Sequence, residues 1–284
     1  MDKQAKKKFP PLKIWVMLGV VLILILISLY FLERSSRKNE YSSRESYLKR
    51  QFASARGKRI ILVLGSSLVQ CGLDSSKQLE ACIQERCGQS VSVLKVWKVA
   101  STISSLTDNM KLLEELKPDW VVVEANMLFY RPIQEPLLVA CLRTFRGMIS
   151  FKPLDKHYAP DEKPVSNRIE NAHVDAGRDG MIDTSDLSTF RNLAAKWQAK
   201  GTRILLINFP IEASEELKKW KGADTSKFNL NLNYLRQQVF AVYYNPQLKL
   251  DTSYFYDFTH MNQKGSAIFS QFFCKELAHQ LSSL

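Results

Sequence analysis

One short stretch, a run of five aliphatic residues that ends in a glycine and two serines, limits the possible folds of this chain most strongly. Ile60–Leu64 contains three β-branched residues and no polar one, as is typical of a strand buried on both faces of a parallel sheet. The chain must turn at Gly65, Ser66 and Ser67, at the strand end where open parallel α/β sheets bind their ligands. A serine hydroxyl at this turn can act as a nucleophile or cap the helix that follows. This stretch alone favours the cap.

A segment near the other end of the chain makes the nucleophile the better interpretation than the helix cap, because it carries an acid and a histidine in one short loop. Asp257 precedes His260 by three residues, and an asparagine and a glycine follow. A nucleophilic serine needs a base that accepts its proton and a third group that orients the base. An isolated Asp-x-x-His segment is more often a surface turn. Combined with the turn at Gly65–Leu68, however, it predicts a catalytic triad of a serine at that turn, His260 and Asp257.

Three blocks of the sequence together resemble the SGNH hydrolase superfamily. Gly65–Leu68 is similar to its GDSL block, with Ser66 where aspartate is usual, and this resemblance implies that Ser67 is the nucleophile. Asp257–His260 is similar to the family's final DxxH block. Between them, Lys117–Asn126 resembles the third block, in which a KPD turn leads into a buried strand that ends in asparagine. The order and spacing of the three blocks are more specific than any one of them.

The resemblance also implies where the oxyanion of an acyl-transfer reaction would bind. The implied donors are the backbone N–H of Ser67, the side-chain amide of Asn126, and a backbone N–H near Ala100. The family has a glycine in this second block, whereas this chain has Ala100 and Ser101. One oxyanion donor typically contributes about 2.7–4 kcal/mol to transition-state stabilisation.

Strands and helices alternate along the rest of the chain. Apolar runs predict further strands at Val91–Val99, Trp120–Glu124 and Arg203–Pro210. Apolar residues at helical spacing predict helices at Leu106–Leu116, Ser188–Lys200, Phe228–Val242 and Ser266–Leu281. This order predicts a three-layer α/β/α sandwich with a mostly parallel, flavodoxin-like sheet over residues 58–284. Residues 131–185 resemble the family least, and we predict that they form an elaboration of this domain.

The N-terminal segment predicts a single transmembrane helix. Residues 14–32 form a run of 19 uncharged residues, long enough at about 1.5 Å per residue to cross a bilayer core of roughly 30 Å. A basic tail, residues 1–13, precedes this run, and a polar stalk or short juxtamembrane helix, residues 33–57, follows it. A cleaved signal peptide is the alternative. The length of the run and the lack of a small-x-small cleavage site after it favour an uncleaved anchor.

The excess of positive charge lies beside this anchor. Residues 1–59 hold 14 Lys or Arg and 4 Asp or Glu, a net of +10, whereas residues 60–284 hold 26 and 24, a net of +2. This distribution predicts a lipid bilayer as partner and no nucleic acid, which would require a basic face on the folded domain. Basic residues flank both ends of the anchor, so charge does not fix its orientation. The resemblance to anchored family members implies a domain outside the cytoplasm, in the periplasm or at the cell surface.

These features predict a membrane-anchored serine esterase or O-acyltransferase of the SGNH type that acts on acyl (acetyl) esters. The resemblance to envelope proteins of alginate acetylation and teichoic-acid D-alanylation implies an acylated cell-envelope glycan as substrate and a polymer-modification complex as partner. The alternative is a catalytically inactive SGNH-like subunit that binds or scaffolds such a complex. Ser66 and the missing second-block glycine are the departures that support this alternative.

The sequence predicts no metal and no cofactor. Asp175–Asp186 partly resembles an EF-hand loop, but glycine at its third position and aspartate at its twelfth favour a turn before a helix over calcium binding. The five cysteines fit no zinc motif. Cys82 and Cys87 either form a disulfide or remain thiols.

Overall fold

A parallel β-sheet forms the centre of the computed structural model. The structure describes residues 12–98, 103, 106, 110–129, 158–161, 184–212, 233–234, 236–237, 241–244, 246, 248–257 and 259–282. Within this part of the chain the strands are β1 (Arg59–Gly65), β2 (Val91–Trp97), β3 (Trp120–Glu124), β4 (Arg203–Ile207) and β5 (Val242–Tyr244). Their order is β2-β1-β3-β4-β5, and every neighbouring pair is parallel. The predicted α/β class with a parallel sheet is confirmed.

Helices cover both faces of this sheet. The first layer consists of α2 (Ser67–Gly72), α3 (Ser76–Cys87) and the C-terminal helix, which is α7 (Gln263–Ser282). The second consists of α4 (Met110–Glu115), α5 (Asn126–Phe129) and α6 (Thr184–Gln198). The resulting three layers are those of the predicted α/β/α sandwich.

Alternate residues of the central strands face the two layers. Ile61 and Val63 of β1 belong to an apolar cluster that also contains Leu79 of α3 and Phe273 of α7. Burial of one such aliphatic side chain contributes about 1.5–3 kcal/mol. Both faces of β1 are buried, which is why its sequence is a continuous apolar run and not an alternating one.

The first helix, α1 (Leu12–Ser54), is longer than the sequence predicts. Its segment Leu12–Leu32 is long and apolar enough to cross a membrane, and most of the large apolar side chains there are exposed and not packed in a core. The same helix continues through residues 33–54, where the sequence predicts a stalk or a short juxtamembrane helix. Its last turns belong to the α/β unit, in which Tyr47 and Leu48 are buried.

A buried lysine of β2 connects three segments of the chain through polar contacts. The side chain of Lys95 is 1% exposed and its Nζ lies 2.7 Å from Asp161 Oδ1. Nζ also donates to the carbonyl of Asp74, 2.9 Å away, and Asp161 in turn accepts from the N–H of Ser76 at 2.9 Å. A buried ammonium group requires such partners, because desolvation of an unpaired charge is costly.

Several predicted features differ from the structure or lie outside its described part. The helix predicted at Phe228–Val242 is wrong at its end, because Val242 begins β5. Cys82 and Cys87 are free thiols and do not form a disulfide. Of the predicted elaboration at 131–185, only residues 158–161, 184 and 185 are described, and residues 175–183 of the EF-hand-like segment lie outside.

Candidate active site

Two loops meet at the carboxyl-terminal edge of the sheet. The first is the turn from β1 into α2, formed by Ser66 and by Ser67, the first residue of α2. The second is the segment 254–262, which leads from a short 3₁₀ helix at Thr252–Tyr254 into α7. The side chains predicted as the triad lie on these two loops.

Ser67 and His260, which are 193 positions apart in the sequence, are hydrogen-bonded. The hydroxyl oxygen of Ser67 lies 2.8 Å from Nε2 of His260. This distance is within the range over which a base can accept the proton of a nucleophile. The imidazole is 30% exposed, and Ser67 is also partly exposed.

The other side of the imidazole faces Asp257. His260 Nδ1 lies 2.7 Å from Asp257 Oδ2, and the carboxylate side chain is only 3% exposed. An ionised carboxylate only accepts hydrogen bonds, so Nδ1 carries the proton and Nε2 is left as the acceptor for the Ser67 hydroxyl. The three side chains therefore form one hydrogen-bonded chain with the tautomer that nucleophilic catalysis requires.

Two opposing influences act on the pKa of Asp257. Burial raises this pKa, while the hydrogen bond and the charge of His260 lower it. The backbone N–H groups of Thr259 and His260, each 2.8 Å from Oδ1, lower it further. The net pKa of Asp257 is about 2, which keeps the carboxylate ionised near neutral pH.

Backbone hydrogen bonds close the loop that carries Asp257 and His260. Phe255 and Met261 form an isolated antiparallel bridge. Inside it, the N–H of Tyr256 donates to the carbonyl of His260 at 2.8 Å. The loop is therefore a narrow hairpin, which places the acid and the histidine on the same side.

The asparagine and glycine after the histidine attach this loop to α7. Asn262 Oδ1 accepts from the N–H groups of Lys264 and Gly265, at 2.9 and 3.1 Å, and so caps the helix. Its amide Nδ2 donates to the carbonyl of Ser253 at 2.7 Å. A side chain at Gly265 would place its Cβ 2.3 Å from the carbonyl oxygen of Tyr254. Asn262 thus attaches the start of the helix to the segment before the hairpin, and Gly265 allows the close approach of the two.

Ser66 caps the helix that follows this turn. Helix capping is the alternative to nucleophilic chemistry that the sequence allows for a serine here. The Ser66 hydroxyl accepts from the N–H of Leu68 at 3.2 Å, at the start of α2. Ser66 also donates to the carboxylate of Glu124, which is buried at the end of β3. No role for Glu124 is predicted from the sequence. Its position as an acid at the end of a buried strand is the signal that could have identified it.

The predicted oxyanion donors are described only in part. Ser67 is the first residue of α2, and Asn126 begins α5 at the same edge of the sheet. The side chain of Asn126 and the whole of Ala100 lie outside the described residues. The roles of these donors therefore remain predictions.

No family model matches this chain, and no curated protein matches it in sequence. Among solved structures, the chain is similar to TesA at 14% identity, covering 78% of this chain and 99% of that chain with a TM-score of 0.41. It is similar to a catalytic mutant of the acetylxylan esterase Axe2 from Geobacillus stearothermophilus at 14% identity. The match covers 78% of this chain and 96% of that chain, with a TM-score of 0.44. It is also similar to the esterase EstA from Pseudoalteromonas sp. at 14% identity, covering 79% of this chain and 99% of that chain with a TM-score of 0.43. These likenesses are distant, and the roles proposed below for the site residues rest on the site geometry and on the motifs of the sequence.

Proposed function

We propose that this chain is a membrane-anchored serine esterase or O-acyltransferase of the SGNH type. The observation that supports this proposal is the hydrogen-bonded chain from Ser67 Oγ through His260 to Asp257. The side-chain order and the tautomer are those of a nucleophile, a general base and an orienting acid. The motif resemblance described above adds the ester as the bond that is cleaved.

The reaction would proceed in two acyl-transfer steps. Ser67 Oγ attacks the acyl carbonyl while His260 Nε2 accepts its proton, and the resulting imidazolium is stabilised by Asp257. His260 then returns the proton to the leaving alcohol, and an acyl-serine remains. In the second step water or a second hydroxyl attacks this ester. Both activities share the first step, so the acceptor alone distinguishes an esterase from an O-acyltransferase.

The oxyanion of each step would be held by the N–H of Ser67, the amide of Asn126 and a backbone N–H near Ala100. The proposed substrate is an acetylated or otherwise acylated glycan of the cell envelope, with a polymer-modification complex as partner. An anchor at Leu12–Leu32 would suit this substrate, because it would hold the site near the membrane.

The test is turnover of p-nitrophenyl acetate by the full chain in detergent. We expect the parent protein to release p-nitrophenol and Ser67→Ala to lose more than about 10⁴-fold in kcat. Ser282→Ala, a serine near the end of α7, is the matched control and should retain full activity. Addition of an oligosaccharide acceptor then separates the two activities: acetylated oligosaccharide in place of free acetate identifies a transferase. A parent rate equal to that of Ser67→Ala would instead support the inactive scaffolding subunit.

A further inference from the structure

Glu124 is a buried carboxylate that the proposed chemistry does not use. It ends β3 and is 1% exposed. Its Oε2 accepts from the N–H of Ser66 at 2.7 Å, and both of its oxygens lie 2.9 Å from the Ser66 hydroxyl. A carboxylate in such a place is costly to desolvate unless hydrogen bonds compensate it. The Ser66 groups that donate to it belong to the residue next to the proposed nucleophile.

The hydroxyl of Ser66 connects Glu124 to the first turn of α2. It has one proton, which it donates to the carboxylate, and its oxygen accepts from the N–H of Leu68. The residues on both sides of Ser67 are therefore fixed: Ser66 through its backbone and side chain, and Leu68 through its N–H. Through its bonds to Ser66, Glu124 of β3 therefore fixes the backbone that directs the Ser67 side chain toward His260.

The register of the sheet places Glu124 beside the turn. β1 and β3 pair in parallel up to Leu64 and Val123, so the next pair of positions is Gly65 and Glu124. A Cβ at Gly65 would lie 2.9 Å from Glu124 Oε2 and 1.9 Å from Val69 Cγ2. Only a glycine lets the turn fit between the carboxylate and α2.

We propose that Glu124 is a positioning residue for the nucleophilic turn, which it holds so that Ser67 Oγ reaches His260 Nε2. The inference rests on the proposed acyl-transfer function and deepens it. In this chain the carboxylate at the turn comes from β3, whereas residue 66, an aspartate in the family that the motifs resemble, is a serine. A displacement of about 1 Å at a reacting atom lowers the rate about 100-fold. Glu124 therefore acts on kcat through the position of Ser67, without contact with the substrate.

The first variant is Glu124→Gln, which keeps the size of the side chain and replaces one acceptor oxygen by an NH₂ group. This group cannot accept from Ser66, so the turn loses part of its restraint. In the full chain in detergent we expect kcat for p-nitrophenyl acetate to fall about 10–100-fold, with KM changed less than about twofold. Glu85→Gln, on the exposed side of α3, is the matched control and should leave both constants unchanged.

The second variant reverses the hydrogen bond. Ser66→Asp alone places two carboxylates against each other and should lower kcat more than Glu124→Gln does. In the double variant Ser66→Asp/Glu124→Gln, the amide introduced at position 124 donates to the carboxylate introduced at position 66, which can also cap α2. We expect kcat of the double variant to exceed that of both single variants. A merely structural role would not give this recovery of kcat.

The outcomes separate the two proposals. If the parent protein and its Ser67→Ala variant show the same rate, the proposed function fails and this inference fails with it. If the parent is active and Glu124→Gln has the same kcat, only the inference fails. Active-site titration with a fluorophosphonate gives the folded, reactive fraction of each variant. A loss in Glu124→Gln that disappears after this correction, or a double variant whose losses simply multiply, would also overturn the inference.

Discussion

At the scale of single residues, two neighbouring serines at the end of β1 have different partners. Ser66 faces Leu68 of α2 and the Glu124 carboxylate, whereas Ser67 faces His260. Their hydroxyls are chemically equal, and only the partners that the fold brings to them differ. The departure from the family pattern at Ser66 therefore does not disturb the contact between Ser67 and His260.

The triad side chains should behave as one unit when they are removed singly and together. We expect Ser67→Ala, His260→Ala and the double variant to have about the same residual kcat, since each removes the same nucleophilic step. Asp257→Asn should fall less, to the order of 10⁻⁴ of the parent rate, because the amide favours the wrong imidazole tautomer. Steady-state kinetics with p-nitrophenyl acetate measure all four. Effects that multiply would show that these residues are not a triad.

The low pKa of Asp257 should make stability depend on pH in acid. The pKa of an ordinary aspartate is 3.8 and that of Asp257 in the fold is about 2. A lowered folded-state pKa gives stability that is fully present above about pH 4 and is lost as the pH falls toward 2. The shift corresponds to about 2 kcal/mol. We expect the difference in free energy of unfolding between the parent and Asp257→Asn to shrink by about that amount between pH 5 and 2, measured by urea denaturation. A constant difference over this range would contradict the assignment.

The sequence predicts the proximity of Ser67 and His260 because each lies in a short block with its own residue spacing. It does not reveal the contact between Ser66 and Glu124, since the two residues are 58 positions apart and belong to different blocks. Glu124 follows three valines of a buried strand, and an acid at that position must find partners inside the protein. The identity of those partners depends on the strand order, which places β3 beside β1.

At the scale of elements, the strands that the sequence predicts best are those buried on both faces. β1, β3 and β4 are continuous apolar runs, and no helical spacing competes with that pattern. β5 has only three residues and directly follows a segment with helical spacing. The turns of α1 after residue 32 are predicted only as one of two alternatives, because few of their described side chains, such as Tyr47 and Leu48, are buried. Short and sparsely buried elements leave too little periodic pattern to detect.

Replacement of Gly265, at the third position of α7, by alanine should have two opposite effects on stability. Helix propensity alone favours Gly265→Ala by about 1 kcal/mol. However, the added Cβ would lie 2.3 Å from the Tyr254 carbonyl, so the helix or the hairpin must move. We expect the contact to outweigh the propensity, with a lower thermal midpoint and a lower kcat, since the same hairpin carries His260.

The control for this prediction is Gln263→Ala, at an exposed position two residues earlier in the same helix. It tests propensity without a new contact and should leave the midpoint within about 2 °C of the parent. Thermal unfolding followed by circular dichroism measures both variants. A higher midpoint for Gly265→Ala would show that the hairpin adapts without cost and is not held by this close approach.

At the scale of the whole molecule, apolar surface and positive charge occur together at the N-terminus. The exposed apolar segment of α1 lies between basic residues of the tail, such as Lys13, and those that follow it, such as Arg34. The remainder of the chain carries nearly equal numbers of acidic and basic residues. This separation is typical of anchored domains, whose basic arms lie at the lipid headgroups, and it is consistent with the proposed anchor.

The anchor itself can be tested in a bacterial host that expresses the full chain. If Leu12–Leu32 crosses the membrane uncleaved, the protein should stay in the membrane pellet after alkaline carbonate extraction and require detergent for release. Mass spectrometry should still find the residues before Ile14, and a reporter fused after Leu284 should be active only outside the cytoplasm. Leu22→Arg/Leu24→Arg places two charges at the centre of the span, each at a cost of about 2.5–3.5 kcal/mol, and should move the protein to the soluble or degraded fraction. The same substitutions at Tyr30 and Leu32, where arginine reaches the interface, should have little effect. A mature N-terminus beyond Leu32 would instead show that the segment is a signal peptide.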